Sequence, residues 1–238
     1  DTITINETVS NVYCYGQDNG DISISVTGGT PPYNYSWQTG VNDTNYIDSL
    51  MYGYYDVTIT DNNGCQKTKS IFVNQPDSLY ITITSDSITC HNNADGKAYA
   101  TVHGGTPPYQ YLWNTTPMQT DSFALNLTVG EKYLYVVDSN GCVASNTIII
   151  PEPLPISTTI TKIDITCNGY NDGKALINVT GGSNPYTYSW DNGDNDTLAE
   201  MLTEGFHRIT VTDKNGCSII DSVFITQPTQ ITKISQIV

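Results

Sequence analysis

A phrase of ten residues recurs three times in this 238-residue chain, and that recurrence constrains the fold more than any other property. It reads GGTPPYNYSW at 28–37, GGTPPYQYLW at 104–113 and GGSNPYTYSW at 181–190. The closing tryptophans, Trp37, Trp113 and Trp190, are 76 and 77 residues apart. Cys14, Cys90 and Cys167 keep nearly the same step. So do Cys65, Cys142 and Cys217, which end the phrases DNNGC, DSNGC and DKNGC. A fixed period of this kind denotes tandem units rather than one large core. The repeats expected are 1–76, 77–153 and 154–228, closed by Pro76, Pro153 and Pro228. Residues 229–238 match DSLYITIT and read as the first strand of a following repeat.

Within a repeat the hydrophobic period is two. In the first, TITI (2–5), DISISVT (21–27), YNYSW (33–37), YYDVTIT (54–60) and KTKSIFV (67–73) each read as a short strand. The stretches between them, YGQDNG, GGTPP and DNNG, are turn-forming. No stretch of useful length carries the helical period. The fold class expected is therefore all-β: three tandem immunoglobulin-like β-sandwich repeats forming an elongated rod. In that architecture Trp37, Trp113 and Trp190 are core residues on the third strand. Tyr33 and Tyr35 share the face of Trp37, because alternate strand residues point the same way.

Each repeat is near the size at which a hydrophobic core alone suffices, so covalent staples would help. The net charge of −15 excludes partners that demand a basic patch, namely nucleic acid and anionic membrane surfaces. No apolar run approaches the length of a bilayer span, so no membrane insertion is expected. Six cysteines in register without a C-x-x-C pair point to disulfides and an oxidising compartment.

The ordered motifs C-x-G-x-x-(D/N)-G, GGTPPYxYxW, G-x-Y-x-V-x-I-T-D-x-N-G-C and a closing QP resemble the SprB repeat, with a weaker likeness to PKD and immunoglobulin-like domains in SWDNGD at 189–194. That family forms tandem modules of large surface adhesins in gliding Bacteroidetes. The resemblance implies an extracellular, cell-surface, non-enzymatic protein, exported by the type IX system and serving attachment or gliding. Its partners would be neighbouring repeats of the same long chain, and surface polysaccharide in the alternative reading. A third reading makes the repeats accessory domains of a secreted enzyme. The sequence departs from the pattern where Lys132 and His207 replace Tyr55, and where SNP replaces TPP in the third repeat. The lineage also brings O-glycosylation at Asp-(Ser/Thr)-aliphatic tripeptides, which selects Ser49, Ser78, Ser87, Thr197 and Ser222.

Reactive residues are sparse in pattern. His91, His103 and His207 occupy three different places in the repeat, and no H-E-x-x-H or G-x-S-x-G occurs. No catalytic residue and no obligatory cofactor is expected. Asp191, Asp194 and Asp196 crowd one loop and form the candidate calcium site, although the spacing is not that of an EF-hand and solvated acidic turns compete as an explanation. Asp61, Asp138 and Asp213 precede N-G-C in every repeat and read as turn caps.

Two disulfide schemes remain. The obvious one closes each repeat on itself: Cys14–Cys65, Cys90–Cys142 and Cys167–Cys217. In an immunoglobulin-type sandwich, however, the first connection and the last hairpin lie at opposite ends of a strand about 23 Å long. A disulfide spans a Cα separation of only about 4.4–6.8 Å. The scheme preferred on that topology joins consecutive repeats, Cys14–Cys142 and Cys90–Cys217, and leaves Cys65 and Cys167 to pair outside this sequence.

Overall fold

The computed structural model describes residues 2–231, so most of the strand expected over 229–238 lies outside the described residues. The first repeat runs β1 (Thr4–Ser10), β2 (Gly20–Thr27), β3 (Asn34–Trp37), β4 (Tyr46–Leu50), β5 (Gly53–Thr60) and β6 (Gln66–Val73). The second runs β7 (Tyr80–Asp86), β8 (Gly96–His103), β9 (Gln110–Trp113), β10 (Phe123–Leu127), β11 (Gly130–Val137) and β12 (Val143–Ile150). The third runs β13 (Ser157–Ile163), β14 (Gly173–Thr180), β15 (Thr187–Trp190), β16 (Leu198–Leu202), β17 (Gly205–Thr212) and β18 (Ser218–Ile225). No helix occurs among the described residues, and therefore none long and apolar enough to cross a membrane.

Each repeat makes two three-stranded sheets, β1-β2-β4 and β3-β5-β6 in the first, with the same order in the other two. Six strands divided in this way are the immunoglobulin-like arrangement, in which the third strand leaves the first sheet to pair with the fifth. Sequence periodicity missed one strand per repeat, of which β4 is the first. Its burial pattern exposes two consecutive residues, Asp48 and Ser49, between buried Ile47 and Leu50. The pairing of β2 with β4 shifts register between Gly20 and Ile22, and Ser49 has a positive φ. A bulge of this kind breaks the two-residue alternation by which strands are recognised.

The chain resolves into two compact units. One holds the chain as far as Thr84 with Tyr99–Ala124 and Lys132–Ile148. The other holds Ser85–Ala98, Leu125–Glu131 and the chain from Ile149 onward. Each contains one flanking repeat whole and a share of the middle one. In the first unit, Ile5, Ile22, Ile24, Trp37, Val57, Ile59, Ile71 and Val73 bury against one another, and Tyr33, Tyr35 and Tyr55 pack half-buried at the edge of that core. In the second, Ile165, Ile177, Trp190, Leu202, Ile209, Val211 and Ile225 do the same. Trp113 of the middle repeat is fully buried. Each indole donates its Nε1–H to a main-chain carbonyl, that of Thr44, Asp121 or Asp196, so burial leaves no unpaired donor.

Candidate functional site

The features common to all three repeats converge on one corner. Asp61 is buried, and its carboxylate accepts three main-chain N–H groups. Oδ1 takes those of Asn63 and Cys65 in its own hairpin, each at 2.9 Å. Oδ2 takes that of Thr30 in the GGTPP turn, also at 2.9 Å. Asp138 and Asp213 repeat the arrangement with Thr106, Asn140 and Cys142, and with Ser183, Asn215 and Cys217. The aspartate therefore caps its hairpin and also ties the hairpin to the glycine turn, a long-range bond that turn chemistry alone did not suggest. Its value is positional, because the hairpin it fixes carries a cysteine.

The opposite cysteine sits in the first connection of each repeat, held from both sides. The N–H before it bonds to the Asp or Asn side chain that ends the loop: Tyr13 to Asn19, Thr89 to Asp95 and Thr166 to Asp172. The closing QP of the repeat holds the other side, where Gln75 accepts from Gly16 and Gln227 from Gly169. In the middle repeat Glu152 accepts from Asn92.

These two elements meet between consecutive repeats. In the first compact unit Cys14 is bonded to Cys142, with 5.6 Å between Cα atoms. In the second, Cys90 is bonded to Cys217 at the same Cα separation. Cys65 and Cys167 are free thiols and exposed. A hydrogen bond accompanies each bridge. Asn140 donates from Nδ2 to the carbonyl of Tyr13 at 3.0 Å, and Asn215 donates to that of Thr89 at 3.3 Å. Beside the first bridge lies a groove of about 430 Å³ lined by Pro76, Leu79, Gly105 and Cys142. Beside the second lies its counterpart of about 450 Å³, lined by Pro153, Ile156, Gly182 and Cys217. The bridges close loops with sequence separations of 128 and 127. Constraining an unfolded chain over such a loop is worth about 4–5 kcal/mol in the chain-entropy account, less for the second because the loops overlap.

The glycine pair explains how the incoming chain reaches this joint. Gly104 and Gly105 both have positive φ. A Cβ on Gly104 would stand 2.0 Å from the carbonyl oxygen of Ser78, and one on Gly181 would stand 1.9 Å from that of Pro155. The linker thus lies directly on the glycine turn, and Gly105 and Gly182 donate their N–H groups to Asp77 and Leu154.

The other sequence candidates are dispersed. Asp191 accepts from Arg208 N and faces His207 Nδ1, Asp194 accepts from Asn192 and Glu200 N, and Asp196 accepts from Thr197. Their carboxylates are turned to different local partners. Among the described residues no group of three or more His, Cys, Asp or Glu is placed to hold a metal ion. Ser49, Ser78, Ser87 and Ser222 are exposed, and Thr197 is half-buried. His207 is buried and donates Nε2–H to the carbonyl of Thr203, as the Tyr55 hydroxyl donates to that of Met51, which accounts for the exchange of these two side chains at one position. Sequence reasoning missed the exposed aromatics. Tyr54 faces Phe72 across β5 and β6 with ring centroids 4.7 Å apart, and Phe206 faces Phe224 across β17 and β18 at 4.8 Å. The middle repeat has Glu131 at the corresponding place.

Several carboxylates at the loops and strand ends are held below their ordinary range. The N–H of Thr30 does most of this for Asp61, the Thr89 hydroxyl for Asp95 and the Thr166 hydroxyl for Asp172. The Lys162 ammonium, followed by the N–H of Thr226, brings Asp164 to about 2. A depressed carboxylate adds stability that is complete above its unfolded value, about 3.9, and disappears as pH falls through the folded value. The melting temperature is therefore expected to be level between about pH 5 and 7 and to fall between about pH 4 and 2. Thermal denaturation followed by circular dichroism checks this, and a melting temperature that holds or rises below pH 4 contradicts it.

Part of this repeated corner, the cysteine loop and the glycine turn, falls within a family match. Residues 6–42, 82–117 and 159–195 match the SprB repeat. Each of the three repeats holds a segment similar to the SprB repeat. The matched segments run from the first strand through the tryptophan strand, and so include the cysteine loop and the glycine turn of each repeat. No curated protein matches the chain in sequence. Among solved structures, the three N-terminal domains of the Highly Immunogenic Outer Capsid protein (Hoc) of bacteriophage RB49 align over 98% of this chain and 100% of theirs, at 13% identity and a TM-score of 0.46. The C-terminal 282-residue fragment of intimin aligns over 68% of this chain and 67% of its own, at 15% identity and a TM-score of 0.37. Likenesses this distant carry no argument about activity.

Proposed function

We propose that these repeats are a load-bearing, non-catalytic stalk segment of a large adhesin on a bacterial cell surface. The observation that supports this best is the position of the disulfides. A bridge within a repeat stabilises that repeat, whereas Cys14–Cys142 and Cys90–Cys217 fasten one repeat to the next. Covalent joints between repeats suit a part whose task is to transmit force. The acidic surface, at a net charge of −15, favours solubility and keeps neighbouring stalks apart. Export by the type IX system, a role in gliding, and glycans on Ser49, Ser78, Ser87, Thr197 and Ser222 belong to the same proposal. Adhesive specificity would then reside in other parts of the adhesin.

A second reading, polysaccharide binding by the repeats themselves, draws support from the exposed Tyr54–Phe72 and Phe206–Phe224 pairs, since aromatic faces stack on sugar rings. A glycan array probed with this chain separates the two. The stalk reading expects no glycan bound above background. A bound polysaccharide whose signal is lost in Tyr54→Ala and Phe206→Ala would replace it with the second.

A further inference from the structure

The two formed joints share one design, and the chain displays both halves of a third. In each joint a hairpin cysteine of one repeat meets the loop cysteine of the repeat before it, and the asparagine two residues before the hairpin cysteine bonds to the carbonyl preceding the loop cysteine. The hairpin half recurs unused in the first repeat. Asp61 fixes Asn63 and Cys65 as Asp138 fixes Asn140 and Cys142. Asn63 Nδ2 donates to Thr30 Oγ1 at 2.9 Å, matching the bonds of Asn140 to Thr106 and of Asn215 to Ser183, each 3.1 Å. What Asn140 and Asn215 have in addition, and Asn63 lacks among the described residues, is the bond to a neighbouring repeat. The loop half recurs in the third repeat. Thr166 N is held by Asp172, Gly169 N by Gln227, and Asn168 Nδ2 by the carbonyl of Pro228, leaving Cys167 exposed.

We infer that Cys167 and Cys65 are complementary halves of one joint, and that a second copy of this chain docks head to tail through them. This rests on the stalk reading only in its biological meaning, because the chemistry follows from the two joints already formed. The new joint would comprise a Cys167–Cys65 bridge and a bond from Asn63 Nδ2 to the Thr166 carbonyl. Forming the bridge removes two protons and two electrons from the two thiols. Oxidised glutathione accepts them: one thiolate attacks its disulfide, the second attacks the resulting mixed disulfide, and two reduced glutathiones leave.

The test uses two variants of the full chain, Cys65→Ser and Cys167→Ser, each retaining one exposed thiol outside every existing bond. They are mixed in equal amounts with oxidised glutathione, and the products are separated without reductant and mapped by mass spectrometry. Random coupling gives heterodimer and the two homodimers as 2:1:1. Complementary halves give heterodimer in at least tenfold excess over either homodimer, through a Cys167–Cys65 peptide. Adding Asn63→Ala to the Cys167→Ser partner lowers that excess several-fold. A statistical ratio, predominant homodimers, or glutathione adducts alone would each overturn the inference. None of these results bears on glycan binding, so failure here leaves the stalk reading to its own test.

Discussion

Pulled from its two ends under oxidising conditions, the chain is expected to yield no more than about 90 residues of extensible backbone, roughly 300 Å, against roughly 800 Å when reduced. The limit is topological. The shortest covalent route follows residues 1–14, crosses to Cys142, runs backward through the middle repeat to Cys90, crosses to Cys217 and leaves along 217–238. All other backbone lies in side loops that tension between the ends cannot straighten. Single-molecule force spectroscopy with and without reductant measures the difference. Bridges closed within each repeat would impose nearly the same limit, so the deciding variant is Cys65→Ser. Joints between repeats leave its oxidised extension unchanged, because Cys65 is a free thiol. Pairing of Cys65 with Cys14 would make the variant about 50 residues longer, some 170 Å. That lengthening would refute both the joints and the force-bearing role built on them.

The second large effect is expected at Gly104. Substitution by alanine there combines two costs. The backbone has φ of +65°, a region L residues enter at a cost of about 1–2 kcal/mol. The new Cβ would also stand 2.0 Å from the carbonyl oxygen of Ser78, a main-chain atom that no rotamer change can move away. Relief requires the linker to lift from the turn, which also strains the Gly105–Asp77 bond. Gly141 provides the control, with φ of +84° and nothing within 4 Å of a Cβ. Gly141→Ala should lose about 1 kcal/mol and Gly104→Ala about 4 kcal/mol or more in denaturant unfolding. Equal losses would mean that backbone conformation alone matters and that the linker does not depend on the turn.

Much of this fold was legible because the sequence states it three times. Alternation in DISISVT and YYDVTIT specified strands, and a tryptophan at a constant place in the third strand specified a sandwich core. β4 was not legible, since its bulge at Asp48 and Ser49 presents two consecutive exposed residues to a test that expects alternation. The aspartate of D-x-N-G-C showed only its local half. A bond within four residues can be read from turn chemistry, but the bond from Asp61 to Thr30 crosses 31 positions and depends on how the sheets fold back. The asparagine of the same motif was read as a turn former, and its reach from Asn140 to Tyr13 spans 127 positions. The glycine pair was legible only as part of the turn-forming stretch GGTPP. That it carries the linker is visible only once the second strand and the incoming chain are placed together.

The overlap of the two bridges has a consequence for damage. A peptide bond cut anywhere between residues 14 and 142 is spanned by Cys14–Cys142, and one cut anywhere between 90 and 217 is spanned by Cys90–Cys217. The two intervals share residues 90–142, so no single cleavage from 14 to 217 separates the chain into two pieces. Bridges closed within repeats would leave 65–90 and 142–167, the stretches that contain the linkers between repeats, without any such cover. A chain built this way can therefore be nicked at its linkers and still hold: its two ends stay joined until each of the stretches 14–90, 90–142 and 142–217 has been cut, or until a reductant opens every bridge that spans a nick.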